Sequence, residues 1–282
     1  MSPAGSRRRL PLARSHHLPV LLRRRVKLVK TNHRPPFVLV HGGRHGGWCW
    51  KRLTPLLHAA GHQVYTPTLT GLGERSHLLH ADVGLDTHIR DVVAVFECED
   101  LQDVVLVAHS YAGMVVTGAM EQISDRVRQL VFLDAHMPRA GESALDLSAP
   151  GAREQLLKLA SEQGEGWYIP PGDSSFWGLS DPEDIAWVNG KITAQPLKTY
   201  TDPVGHTDRA WAHPGMFIEC RNPADRQHAA PVRPFERSAT DTHFHYRQLD
   251  AAHDAMVTAP SALASILFEA AALDIPKPKR RV

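Results

Sequence analysis

Asp103-Val104-Val105-Leu106-Val107-Ala108-His109-Ser110-Tyr111-Ala112-Gly113-Met114-Val115-Val116 decides the fold of this 282-residue chain. The first half is an apolar, β-branched run, the pattern of a parallel strand buried on both faces. From Tyr111 to Ile123 the apolar residues fall at helical spacing instead. Between the two stands Ser110. A strand, a tight turn bearing a serine and a helix form the context of a nucleophile elbow, in which a strained backbone pushes the hydroxyl out above the sheet. Strand and helix cross closely there, so the residues two before and two after the serine must be small. They are Ala108 and Ala112 rather than a glycine pair, and Gly113 follows one place later. A serine before a helix also serves as a plain N-cap, so the rest of the chain has to choose between the two readings.

Outward from that stretch, strands alternate with helical patterns. Phe37-Val38-Leu39-Val40 is a short buried strand, and Trp50 to Ala60 reads as a helix ending at Gly61. Gln63 to Pro67 reads as a strand, Leu85 to Phe96 as a helix and Val127 to Asp134 as a strand. Met216 to Cys220 and His243 to Leu249 are later strands, and Pro260 to Leu273 is a C-terminal helix. This order predicts an α/β fold, a mostly parallel sheet flanked by helices. Residues 139–213 break the alternation and concentrate Trp167, Tyr168, Phe176, Trp177, Trp187 and Trp211. They read as a lid inserted over the sheet edge, its aromatics either lining an apolar pocket or anchoring the lid to the body. The expected organisation is a basic arm over residues 1–36, a core over 37–138 and 214–275, the lid, and a basic tail over 276–282.

Charge divides the chain in the same way. Residues 1–36 hold ten Lys/Arg and no acid, which leaves 22 Lys/Arg against 30 Asp/Glu in the remainder. The globular part is therefore acidic, and its charge gives no reason to expect nucleic acid. The composition of the arm predicts disorder. Ser6-Arg7-Arg8-Arg9-Leu10 is similar to a twin-arginine export signal. However, the nearby apolar run Leu18 to Leu22 is too short for a signal core, and no aromatics interleave with the arginines for base stacking. No stretch approaches the ~18 consecutive apolar residues of a membrane span. Three cysteines, Cys49, Cys98 and Cys220, lack metal-type spacing and predict neither a disulfide framework nor a zinc site, so a reducing cytoplasm is the expected location. No metal or other cofactor is expected. The sequence allows a homodimer.

Acyl transfer through a serine needs a base, an acid that orients the base, and donors for the developing oxyanion. In strand-ordered α/β sheets the ligand site lies at the carboxyl ends of the strands, and Gly43, Ser110 and Asp134 all stand just beyond such ends. His253 follows the last strand and precedes the C-terminal helix, in a loop from which a base can reach the serine. His109 adjoins Ser110 but faces away from it on the elbow, which suits a structural role. For the acid, Asp225 after the strand 216–220 is preferred, and Asp134 after the strand 127–133 also satisfies the chain order. The glycine-rich run His41 to Gly47 offers the Gly43 N–H as one oxyanion donor, with the Tyr111 N–H as the other. Asp86, His88 and Asp91 have ligand-like spacing on their helix and read as a solvated face.

With these residues placed, the chain resembles the α/β-hydrolase superfamily. Within it, the chain is similar to the branch of plant salicylic-acid-binding methylesterases, hydroxynitrile lyases and bacterial EstC-like esterases. The segments that carry the resemblance are Phe37 to Gly43 with Gly46-Gly47-Trp48-Cys49-Trp50, Thr66 to Arg75, Ala108 to Met114, Leu133 to Pro138, and His253 to Pro260. The chain departs from the branch at Ala108 and Ala112, and in a longer loop after Cys220. The resemblance implies a cofactor-independent serine esterase for small to medium apolar or aryl esters. Lyases of the branch place a Thr in the oxyanion loop and a Lys after the histidine, where this chain has Gly43 and Asp254. That substitution disfavours cyanohydrin cleavage. The remaining alternative is a non-catalytic ligand-binding protein on the same fold.

Overall fold

The computed structural model describes residues 34–149, 151–222 and 232–273. In chain order its strands are β1 (Phe37–Val40), β2 (Val64–Tyr65), β3 (Val104–His109), β4 (Val127–Leu133), β5 (Tyr168–Ile169), β6 (Gln195–Pro196), β7 (Gly215–Cys220) and β8 (Phe244–Leu249). Six of these form one sheet, ordered β2-β1-β3-β4-β7-β8, and every neighbouring pair in it is parallel. β5 and β6 pair separately and antiparallel. The helices are α1 (Thr54–Ala59), α2 (Leu85–Cys98), α3 (Ala112–Ile123), α4 (Ala152–Gln163), α5 (Pro182–Asn189), α6 (Lys198–Thr201), α7 (Asp208–Ala212), α8 (Val232–Thr240), α9 (Ala255–Thr258) and α10 (Pro260–Ala272).

The two-residue period of β3 sorts its side chains into two cores. Leu106 and Ala108 join Val38, Val40, Leu130, Phe132 and the apolar faces of α2 and α3. Val105 and Val107 join Phe37, Leu39, Val131, Leu133, Trp50, Leu57 and the α10 residues Leu263 and Leu267. All six residues of β3 are buried, as expected of a central strand covered by helices on both faces. Each fully buried aliphatic side chain stabilises the fold by about 1.5–3 kcal/mol.

Several local readings shift. The helix expected from Trp50 to Ala60 begins as a 3₁₀ turn over Gly47–Arg52 and restarts at Thr54. Pro55 lies in the first turn of α1, where its missing N–H has no intrahelical partner to lose. The fold starts before residue 37. Pro35 and Pro36 are buried, and their carbonyls accept from His62 Nδ1 at 2.8 Å and from the Val105 N–H at 2.9 Å. The rest of the basic arm and the tail over 276–282 lie outside the described residues.

In the 139–213 segment, most of the aromatics act as anchors. Trp211 donates to the Pro138 carbonyl at 2.8 Å and lies under the Arg139 guanidinium. Trp187 meets Trp48 edge to face and is covered by Arg52 and Lys191. Trp177 packs on His45 and Arg44. Phe176 is exposed. Leu145, Ile169, Tyr200 and Val204 complete the core on the α2–α3 face, and Leu179, Val188 and Ile192 complete the opposite one.

Candidate active site

Ser110 links β3 to α3 with φ +54, the left-handed region that non-glycine residues rarely enter. Backbone hydrogen bonds hold it there. Its N–H donates to the Leu133 carbonyl at 3.2 Å, and its carbonyl accepts from Gly113 and His136, both at 3.1 Å. Together these bonds tie the turn to the end of β4. They also explain the two alanines. Ala108 and Ala112 are fully buried within the core, whereas a Cβ on Gly113 would overlap the His136 carbonyl. The point of closest approach is therefore position 113, and glycine is retained there at the ~1 kcal/mol it costs a helix. Gly42 is constrained in the same way, since a Cβ there would lie 2.8 Å from His109 Nδ1 and 2.9 Å from Ser110 Cβ.

His253 stands between β8 and α9, and its Nδ1 donates to Asp134 Oδ2 at 2.6 Å. Both side chains are almost entirely buried. Because a carboxylate can only accept, this bond places a proton on Nδ1. Asp134 directly follows β4 at φ +45, a conformation that Asp tolerates better than most residues. Its N–H donates to the Ile218 carbonyl at 2.8 Å, and its Oδ1 accepts from the Cys220 N–H at 3.4 Å. The end of β7 thus fixes the carboxylate. Asp225, the acid preferred from sequence, lies outside the described residues, and the observed carboxylate partner of His253 is Asp134.

The backbone of the His253 loop is also held. Its N–H donates to the Trp177 carbonyl at 3.1 Å, and its carbonyl accepts from His109 Nε2 at 3.0 Å. Burial, with the nearby His253, pushes the His109 pKa well below the usual imidazole range. His109 is therefore a neutral brace, which agrees with the structural role read from its position on the elbow.

Gly43 follows β1 in a tight turn, with Arg44 at φ +65. A Cβ on Gly43 would overlap the Tyr200 hydroxyl, so glycine is required. Tyr111 caps α3. Its hydroxyl donates to His88 Nδ1 at 3.0 Å, while His88 Nε2 donates to the Thr70 carbonyl at 2.9 Å. The Tyr111 ring stacks on Tyr200 with centroids 5.3 Å apart. Among the described residues no backbone carbonyl takes the N–H of Gly43 or of Tyr111. His88 is fully buried and burial lowers its pKa to about 4, so the solvated face expected over Asp86, His88 and Asp91 holds only for exposed Asp86. Asp91 instead accepts from the Thr70 N–H and hydroxyl. Among the described residues no group of three His, Cys, Asp or Glu could hold a metal. Burial pushes the Cys49 thiol well above its usual range, which suits a packing role rather than a nucleophilic one.

The sequence reading missed the contacts that four residues make at this site. Tyr200 reaches the oxyanion loop from α6, and Trp177 supplies a carbonyl to the base loop. His45 and Asp254 form a buried pair between the two loops. Neighbouring residues in sequence give no signal for such contacts, because 209 positions separate His45 from Asp254.

A model of the alpha/beta hydrolase family matches residues 37–266. Over 176 residues the chain is 43% identical to the carbendazim hydrolyzing esterase of Nocardioides sp. (strain SG-4G), a match that covers 60% of this chain and 72% of that protein. It is 29% identical over 260 residues to methylesterase 10 of Arabidopsis thaliana, covering 84% and 91% of the two. Among solved structures, an extracellular alpha/beta-hydrolase from a Paenibacillus species, described as sharing homology with Tobacco Salicylic Acid Binding Protein 2, superposes with a TM-score of 0.71 at 20% identity. That match covers 84% of this chain and 98% of the other, and speaks for the fold. Among the described residues no helix is long and apolar enough to cross a membrane.

Proposed function

This chain belongs to the alpha/beta hydrolase family and is an ester hydrolase; we propose that it works through an acyl-enzyme on Ser110, with His253 as base and Asp134 as the acid that orients it. The observation that carries this reading is the buried 2.6 Å bond from His253 to Asp134 on the sheet edge that holds Ser110 at φ +54.

In the first half-reaction the Ser110 oxygen bonds to the ester carbonyl carbon, and its proton passes to His253 Nε2. The carbonyl oxygen becomes an oxyanion held by the N–H groups of Gly43 and Tyr111, each such donor typically contributing about 2.7–4 kcal/mol to the transition state. His253 returns the proton to the alcohol oxygen as the carbon–oxygen bond breaks, leaving the acyl group on Ser110. Water then loses a proton to Nε2 and attacks the acyl carbon, and Ser110 leaves with that proton. Asp134 stays ionised throughout and balances the imidazolium.

Small to medium apolar or aryl esters suit the Tyr200 and Trp177 rings beside the oxyanion and base loops. The methylesterase relatives point to small alcohols as leaving groups. A lyase reading is opposed by the absence of a cation after the base, since position 254 holds Asp254 where lyases of the branch place a Lys. The test is covalent labelling by a fluorophosphonate probe with mapping of the modified residue, paired with Ser110→Ala. Labelling at Ser110 and a fall of p-nitrophenyl acetate hydrolysis to the buffer rate are expected. Full activity in a folded Ser110→Ala variant would overturn the assignment.

A further inference from the structure

We propose that His45 and Asp254 form a permanently ionised, buried pair that positions the two catalytic loops relative to each other. The proposal rests on the reading of Gly43 as an oxyanion donor and His253 as the base. His45 lies on the oxyanion loop two residues after Gly43, and Asp254 directly follows His253. Both side chains are buried, at 2% and 0% exposure.

The hydrogen bonds set the protonation state. His45 Nδ1 faces the Gly43 carbonyl at 2.8 Å, and its Nε2 faces Asp254 Oδ2 at 3.1 Å. A carbonyl and a carboxylate both accept, so both ring nitrogens donate and the ring is an imidazolium. A neutral ring would turn a lone pair toward one of two buried acceptors. The surroundings accommodate the cation. The Trp48 ring stacks on His45 with centroids 5.3 Å apart, and the Trp177 ring lies at 5.1 Å, an arrangement that favours positive charge at an aromatic face. The other charged or titratable groups facing the pair are Arg44, whose charge opposes the imidazolium, His41 and His109, which burial keeps neutral, and His253 and Cys49 beside Asp254. Burial works against the His45 charge, yet the Asp254 charge and hydrogen bond hold its pKa above the usual imidazole range. The Asp254 carboxyl is held well below its usual range, burial opposing and the charge and hydrogen bond of His45 prevailing.

Geometry gives the pair its role. The Gly43–Arg44 turn is gripped at two successive points, the Gly43 carbonyl by His45 and the Arg44 N–H by Gln195 Oε1 at 2.6 Å. These contacts set the plane of the turn from which the Gly43 N–H projects. On the other side, the Asp254 carbonyl accepts from Val257 and Thr258 at 2.8 and 3.1 Å, which opens α9. Asp254 Oδ1 lies 3.8 Å from His109 Nε2, the group that braces the His253 carbonyl. Trp177 touches both halves, through its ring on His45 and its carbonyl on the His253 N–H. The pair therefore joins the loop that holds the oxyanion to the loop that carries the base. His45 and Asp254 touch no reacting atom in this scheme and act as positioning residues.

The test combines a spectroscopic and a kinetic readout. Nitrogen-15 NMR of the histidines in the wild-type protein is expected to show His45, identified by its loss in His45→Gln, with both ring nitrogens protonated at pH 7–8. A neutral ring there overturns the proposal. Asp254→Asn is expected to lower kcat for p-nitrophenyl acetate about 10- to 100-fold with KM within about threefold, and to slow fluorophosphonate labelling of Ser110 in parallel. A folded variant with kcat within threefold of wild type overturns the positioning role. Should Asp254→Asn fail to fold, the charge-free double variant His45→Gln/Asp254→Asn takes its place under the same expectation. Absence of labelling at Ser110 in the wild type would sink the serine reading itself. Normal wild-type labelling with an unaffected variant would sink only the present inference.

Discussion

His253–Asp134 and His45–Asp254 are built from the same two side-chain types, and their aspartate and histidine partners adjoin at positions 253 and 254. They differ in what surrounds the imidazole. His253 gives one nitrogen to a carboxylate, and in the proposed scheme the other faces the reacting serine. His45 gives both nitrogens to acceptors and lies against two tryptophan rings. In the proposed scheme the first ring exchanges a proton in each turnover, while the second holds its proton and serves as a fixed charge. A histidine–carboxylate contact is therefore not by itself a catalytic signature. The partner of the second nitrogen decides its use.

The largest effect that could break this contrast lies at the carboxylates. Asp134→Asn keeps the shape of the site but no longer favours the Nδ1–H tautomer of His253. It is expected to lower kcat by roughly 10⁴-fold, against the 10- to 100-fold expected for Asp254→Asn. Asp225→Asn is expected to keep kcat/KM within about threefold of wild type. Steady-state kinetics on p-nitrophenyl butyrate check all three variants. The reverse order for Asp134 and Asp225 would return the acid to the loop after β7.

A second, smaller effect sharpens the contrast through pH. The folded-state pKa of His45 is raised, so its contribution to stability is complete below the unfolded value of about 6.5 and is lost as the pH rises through the folded value. That of Asp254 is depressed, so its contribution is complete above about 3.9 and is lost as the pH falls through the folded value. The stability of the wild type relative to the charge-free His45→Gln/Asp254→Asn variant should therefore be greatest between about pH 4 and 6.5 and decline on both sides. Urea melts across that range measure it. A difference that does not change with pH would mean that the pair is not ionised.

The two pairs also show what the sequence could tell. The sheet was legible because β3 is apolar up to its last residue, His109, and β1 repeats that run, the pattern of strands covered on both faces. The strained turn at Ser110 was legible because a strand, a small-residue turn and a helix are local features. Asp134 was harder to separate from Asp225, since both follow strands and both satisfy the chain order. Its bond to His253 depends on the register that pairs Leu133 with Ile218 and brings the Cys220 N–H to its carboxylate. The best local hint was an Asp directly after a buried strand, a residue that tolerates positive φ. His88 was misread as solvated because helix periodicity gives a face but not what covers it, and here Tyr111 and Thr70 do. The aromatics of residues 139–213 allowed either a pocket lining or an anchor, and most are held by cations and other rings. Composition places such residues in a region without choosing their partners.

The smallest expected effect isolates burial from charge. Arg153 and Asp146 form an ion pair at 2.7 Å, shorter than the 3.1 Å contact of His45 with Asp254. Their side chains are 50% and 45% exposed. Water competes for both charges, and a long arginine must be ordered to make the contact, so pairs of this kind contribute about 0.2–1 kcal/mol. Asp146 also keeps its hydrogen bonds from the Ser143 N–H and hydroxyl when the arginine is removed, at 2.9 and 2.6 Å. Arg153→Ala is therefore expected to shift Tm by less than about 4 °C and to leave kcat unchanged. Raising the ionic strength toward 1 M, where the screening length falls to about 3 Å, should shrink even that difference. The effect of Asp254→Asn should be nearly indifferent to salt, because no solvent ions reach a carboxylate with 0% exposure. A large, salt-insensitive loss in Arg153→Ala would show that proximity of charge alone suffices, and would remove burial as the reason the inner pair can act as a fixed strap.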